Sequence, residues 1–349
     1  MITTTTITGN PGSGAATAPE PSRRMLGLLA AMAALAVLLV LSVTVGGTTM
    51  SPAAVWDALV NASDGFDQFA IRDFRLPRTI VGLVVGAALG VSGALLQALT
   101  RNPLADTGIL GVGAGSSFAV TVAVGVLGVR DISGYMWFAY AGALVVTVMV
   151  LALGSTRRGQ SPVLMVLAGV CVSAVLTGAS SALTLTNPEA FDQMRGWSAG
   201  SIMGRPLALI WPVLPLLVVA LVLGLSVTAS LNAMALGDDV AAAQGVRLGL
   251  SRVLTVAAIT LLAGGATAIA GPIGFVGLMV PHVARWFVGP HQGWIFAYSI
   301  VLAPSLLLAS DILGRVVIAP GEIPVGIVTA FVGAPVLIGL VRRKKASGL

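Results

Sequence analysis

A nucleotide-hydrolysing loop requires a lysine beside Ser or Thr behind a glycine-rich turn. The only lysines in this chain, Lys344 and Lys345, are followed by Ala346, so ATP hydrolysis has no seat here. Two histidines, His282 and His291, and one cysteine, Cys171, cannot assemble a site for a bare metal ion, and a lone cysteine forms no intrachain disulfide. A proton-coupled carrier needs titratable groups at mid-membrane. Asp311, Arg315 and Glu322 instead lie close to the edge of an apolar run, and most apolar runs carry no ionisable residue. No acid, base and nucleophile cluster near an interface as a membrane enzyme would need. Whatever work the chain does must be powered from elsewhere.

One polar stretch stands out. Leu236 to Arg252, LGDDVAAAQGVRLGLSR, gathers Asp238, Asp239, Gln244, Arg247 and Arg252 in a chain of which only 9% is charged, so it belongs in water beside a membrane. Val240 to Ala243 favours a short helix, and Gly237 and Gly245 bracket it with residues suited to sharp reversals. On polarity alone this is an ordinary loop or a docking knob.

The surrounding elements are long apolar runs. With 349 residues, 56% apolar content, 43 glycines and a mean hydropathy of +0.98, the chain is a polytopic membrane protein. A hydrocarbon core about 30 Å thick takes about 20 helical residues per span, and the runs supply about ten. They are too long and continuous for a membrane barrel, so the fold class is all-α. The expected spans fall near 25 to 45, 79 to 99, 108 to 128, 135 to 155, 163 to 186, 207 to 228, 253 to 271, 273 to 288, 294 to 313 and 324 to 341. Residues 1 to 22 read as a disordered tail, 23 to 345 as one transmembrane domain and 346 to 349 as a C-terminal tail. An even span number puts both termini on one side. A cytosolic N-terminus places Arg23, Arg24, Arg101, Arg157, Arg158 and loop 237 to 252 inside, in keeping with the positive-inside rule. The net charge of +6 is spread over membrane-flanking loops, which excludes a nucleic-acid partner. Segments 46 to 78 and 187 to 206 mix aromatic and charged residues, as short interfacial helices do. Spans two to five and seven to ten run from opposite sides and carry comparable glycine-rich passages, the pattern of an inverted repeat.

Three runs carry a resemblance to a known family. RLPRTIVGLVVGAALGVSGALLQALTRNPLADTGILGVGAGSSFA (75 to 119), GPIGFVGLMVPHVARWFVG (271 to 289) and DILGRVVIAPGEIPVGIVTAFVGAPVLIGLVRR (311 to 343) resemble the FecCD family, the permease subunits of ABC importers for iron-siderophore complexes, haem and cobalamin. Thr107 stands where the family usually has Pro, and Asp238-Asp239 replaces its usual acidic-then-hydrophobic pair. The resemblance implies a type II ABC importer permease fold in a bacterial inner membrane, without a cofactor of its own. It also implies a second permease copy or sister permease, two ABC ATPase subunits on the cytosolic side and an extracytoplasmic substrate-binding protein. Gly237, Asp238, Asp239, Ala241 and Gly245 then match the coupling helix that enters a groove on the ATPase.

Arg75, Arg78 and Arg315 match basic residues that meet acidic residues of the binding protein, a task suited to the guanidinium fork. On charge and position alone they are interfacial anchors or partners of Asp73, Asp311 and Glu322. Ser161, Pro162 and Val163 fall where the family closes its cytoplasmic gate. The expected cargo is a ferric siderophore, with haem or cobalamin as the alternative. The competing class is a secondary transporter driven by an ion gradient, which an inverted repeat also suits.

Overall fold

The structure is a computed structural model that describes residues 21–46, 50–61, 65–156, 159–160 and 162–344. Residues 1–20 of the expected N-terminal tail and residues 345–349 lie outside the described residues, while Pro21 and Ser22 already belong to the first helix. In chain order the helices are α1 (Pro21–Thr44), α2 (Pro52–Val60), α3 (Phe66–Phe69), a π-helical turn (Ala70–Arg75) and α4 (Leu76–Thr100). Then come α5 (Val112–Gly125), α6 (Ile132–Leu153), α7 (Pro162–Thr186), α8 (Pro188–Ser198), α9 (Leu214–Ser226), α10 (Thr228–Ala235) and α11 (Asp238–Ala243). The series closes with α12 (Leu248–Ala270), α13 (Val276–Val288), α14 (Gln292–Val317) and α15 (Val325–Lys344). A two-residue antiparallel pairing, Ser155–Thr156 with Gly159–Gln160, joins α6 to α7.

The apolar runs become helices, but not ten equal ones. Among the described residues six are long and apolar enough to cross a membrane, and α9 with α10 makes a seventh, bent by 41° between Ser226 and Thr228. The expected spans 108–128 and 273–288 shrink to α5 and α13. The cause is local backbone chemistry. Gly111 sits at φ +69 before α5, and Gly271 and Phe275 sit at φ +75 and +68 before α13, conformations that no right-handed helix can include. Gly271 and Ile273 of the irregular lead-in to α13 are buried, and its start lies against the 197–201 segment, where Ser201 N–H donates to the Ala270 carbonyl at 2.8 Å. Non-helical backbone at such depth is tolerated only when protein surrounds it.

The two four-helix sets repeat one packing pattern. The helix α4 lies against α14 as α12 lies against α6, α5 against α6 as α13 against α14, and α4 and α12 pack on each other. Each set holds its short helix in second place, which is the arrangement an inverted repeat requires.

Glycines decide how closely α4 meets its neighbours. Gly82, Gly86, Gly90 and Gly93 form one stripe of that helix, and a Cβ on Gly86 would come within 2.6 Å of the Pro304 Cα in α14. One on Gly93 would strike the Gly277 carbonyl of α13. Helices in lipid associate through such close backbone contact, since no hydrophobic effect separates them from the solvent. Replacing Gly93 with Val should therefore lower stability by about 3 kcal/mol or more through overpacking. Gly249→Ala, where a Cβ would meet nothing within 4 Å, should be neutral. Denaturation of the two variants in detergent gives the comparison, and equal midpoints would rule out the close-contact account.

Candidate coupling site and its anchors

The helix α11 is six residues long, too short to hold itself together in water, so its surroundings must hold it. Gly237 at φ +118 turns the chain out of α10, and Gly245 at φ +82 turns it back toward α12. A clasp fixes the position between these turns. The Asp238 carboxylate accepts from Arg101 at the end of α4 through Oδ1 and from Arg252 in α12 through Oδ2, the latter at 2.5 Å. Burial pushes its carboxyl upward, but the two guanidiniums outweigh that and hold it below the usual carboxylate range. Arg101 itself occupies a left-handed conformation, φ 51, as the C-cap of α4. That strain is uncommon for a residue with a side chain.

The clasp determines which face of α11 is on display. Ala241 points inward and is wholly buried, whereas Asp239, Val240, Ala242, Ala243 and Gln244 are exposed, with Leu236 beside them. Of the five residues expected to make the coupling contact, Gly237, Asp238 and Gly245 therefore shape the knob, and Asp239 stands on its surface. Ala241 packs the knob against its own chain, because a helix anchored on one side must bury that side, and its neighbour Val240 is exposed. The Arg101 and Arg252 partners of Asp238 escaped the sequence reading because 137 and 14 residues separate them from it.

Beside the clasp, Gln97 ties α4 to α13. Its amide donates to the Leu278 carbonyl at 2.9 Å, and its Oε1 accepts from Arg285 at 2.7 Å. These contacts lie at the same end of the bundle as α11. Of the expected gate, Ser161 lies outside the described residues, and Pro162 and Val163 form the first turn of α7.

The opposite end holds the three arginines expected to face a binding protein, and they are not displayed. Arg75 donates to the carbonyls of Val43 and Thr44, both at 2.9 Å, and Arg315 to that of Ser42 at 2.7 Å. The last carbonyls of a helix have no partner within it, so these guanidiniums complete the C-terminus of α1. Arg78 meets Asp311 at 2.7 Å and Glu322 at 2.6 Å, and Asp311 also accepts from Arg315. Asp311 is 1% exposed and Arg315 2%. All three guanidiniums are thus engaged within the chain. Buried cations require partners, and these arginines have taken theirs from α1, α14 and the segment leading into α15. Of the carboxylates considered as partners, Asp311 and Glu322 serve. Glu322 is the member with a partly exposed side chain, at 28%.

The comparisons with known proteins agree with this architecture. Over 309 residues the chain is 45% identical to the ferric enterobactin transport system permease protein FepD of Escherichia coli (strain K12), covering 88% of this chain and 92% of that protein. It is 37% identical over 303 residues to the probable siderophore transport system permease protein YfiZ of Bacillus subtilis (strain 168), covering 86% and 91%. A solved structure described as an inward-facing conformation of a metal-chelate type ABC transporter superposes with a TM-score of 0.79 at 26% identity, covering 91% of this chain and 99% of the other. The model of the FecCD transport family matches residues 34–343, and the chain belongs to that family.

Proposed function

We propose that this chain is the membrane-spanning permease subunit of an ABC importer that carries a ferric siderophore into the cytoplasm, worked by ATP hydrolysed on separate subunits. The observation that carries the reading is the α11 knob, a small helix with an exposed Asp239 and Val240 face, clasped through Asp238 to the ends of two long buried helices. A rigid-body movement of a docked ATPase would enter the bundle through that clasp. In this arrangement α11 and both termini are cytosolic, and the α8 end faces the exterior. A siderophore is favoured over haem or cobalamin because the two permeases named above carry enterobactin and siderophores in their names. The chain is read as one permease domain over residues 23 to 345, paired with a second copy or a sister permease, with the gate at Ser161 to Val163.

Docking of a binding protein at the exterior end takes a modified form. A carboxylate on that protein would reach Arg78 by displacing Glu322, the partly exposed partner, while Asp311 stays in place beneath. The arginines then act as an ion-pair exchange site.

Val240→Arg should remove permease stimulation of the ATPase by about tenfold while leaving membrane insertion intact, since the side chain touches only the docking face. ATPase assays on the reconstituted complex check this, and normal stimulation would count against α11 as the lever. Asp238→Asn should uncouple at every pH. The native clasp depends on a carboxyl held below its unfolded value of about 3.9, so its contribution is complete above that value and is lost only as pH falls through the lower folded one. Coupling should therefore show no step from Asp238 between about pH 6 and 8.

At the other end, Glu322→Gln should tighten binding-protein affinity about threefold by removing the competing charge. Asp311→Asn should cost about 3–5 kcal/mol of stability by removing the carboxylate that two buried cations share. Titration calorimetry and denaturation separate these outcomes, and weaker docking by Glu322→Gln would exclude the exchange.

A further inference from the structure

A cavity of about 790 Å3 lies between the start of α6, one face of α8 and the segment 201–205. From α8 it receives Glu189, Asp192, Gly196 and Trp197, whose i, i+3, i+7, i+8 spacing puts them on one side of the helix. Tyr135 enters from α6 and Arg205 from the segment after α8. The volume falls within the range of small-molecule sites, about 300–1,000 Å3.

The least exposed groups of this lining are hydrogen-bond donors whose bonds are unspent. Arg205, Tyr135 and Trp197 are 8%, 3% and 2% exposed. Arg205 donates through Nε to the Ser201 carbonyl at 3.3 Å, but its two terminal nitrogens have neither a hydrogen bond nor an ion pair among the described residues. The Tyr135 hydroxyl makes no hydrogen bond among them, and the buried Trp197 Nε1 has no partner there. A buried cation normally takes a counter-ion and a buried N–H an acceptor. Three unspent donors around one cavity therefore select an acceptor as its occupant, and a guanidinium fork suits the two oxygens of a carboxylate.

The rim has the opposite sign. Glu189 pairs with Arg130 at 2.5 Å, while the exposed Asp192 has no ion pair among the described residues. A polyanion approaching the cavity meets repulsion from that carboxylate, whereas a ligand carrying an ammonium group meets attraction.

We infer that this cavity binds a small zwitterion, an amino carboxylate. Its carboxylate seats on Arg205 with Tyr135 and Trp197 as further donors, and its ammonium group meets Asp192. The helix α8 rests on α5 and α7, so a bound zwitterion adds a link from α8 to the start of α6.

The test titrates the complete permease in lipid nanodiscs by calorimetry, with γ-aminobutyrate as the zwitterion, butyrate as the same carboxylate without the ammonium group, and inorganic phosphate. γ-Aminobutyrate should bind about threefold tighter than butyrate and at least about tenfold tighter than phosphate. Arg205→Gln should weaken γ-aminobutyrate by about tenfold or more, and Trp197→Phe by about threefold. Asp192→Asn should bring γ-aminobutyrate down to the level of butyrate and leave butyrate unchanged. Gly196→Leu fills the cavity from a position where a Cβ meets nothing within 4 Å, and leucine is the better helix former, so this variant should fold and lose binding. Undetectable binding of γ-aminobutyrate by the native chain would overturn the site, as would affinities unmoved by both Arg205→Gln and Gly196→Leu. Phosphate bound as tightly as γ-aminobutyrate would overturn it equally.

Discussion

The bundle depends on the close approach of backbones along α4. In lipid a leucine gains nothing by touching another leucine rather than an acyl chain, so helix association rests on dispersion contacts at short range and on a few polar bonds. The glycine stripe from Gly82 to Gly93 allows α13 and α14 to reach contact distances that any side chain would prevent. In turn α12 packs on α4 and carries α6 and α9. Both α4 and α12 are mostly buried within the chain, as hubs must be.

Polar contacts at both ends convert that hub into a strut. At its start, Arg78 joins α4 to α14 and to the segment before α15 through Asp311 and Glu322, and Arg75 closes the end of α1. At its finish, Gln97 bonds the α13 backbone and Arg285, while Arg101 grips α11 through Asp238. A helix of 25 residues is about 37 Å long, enough to connect the two faces of a bilayer. Buried charges cost several kcal/mol each to desolvate, so their value lies less in net stability than in the specific geometry they enforce. Here that geometry fixes the ends of α4 relative to α1, α11 and α14.

Much of this was legible from composition and period alone. The apolar runs became helices, the segments 46 to 78 and 187 to 206 hold the short helices α2 and α8, and the Gly237–Gly245 island became a protruding turn of helix. What escaped was set by three-dimensional neighbours. The period of a run does not reveal that Phe275 will adopt a left-handed conformation and cut α13 to 13 residues. Charge at a span end does not distinguish an arginine offered to a partner from one that completes the carbonyls of α1. The inward turn of Ala241 follows from the grip on Asp238, whose partners lie in α12 and at the end of α4.

Packing is distributed unevenly, and that constrains where motion can occur. The strut formed by α4 cannot tilt without opening glycine contacts on α13 and α14, whereas within this chain α7 is mostly uncovered and rests chiefly on α5, α6 and α8. Elements with few buried contacts are displaced at the lowest cost. A push delivered at α11 would pass through Asp238 to the ends of α4 and α12, which pack on each other.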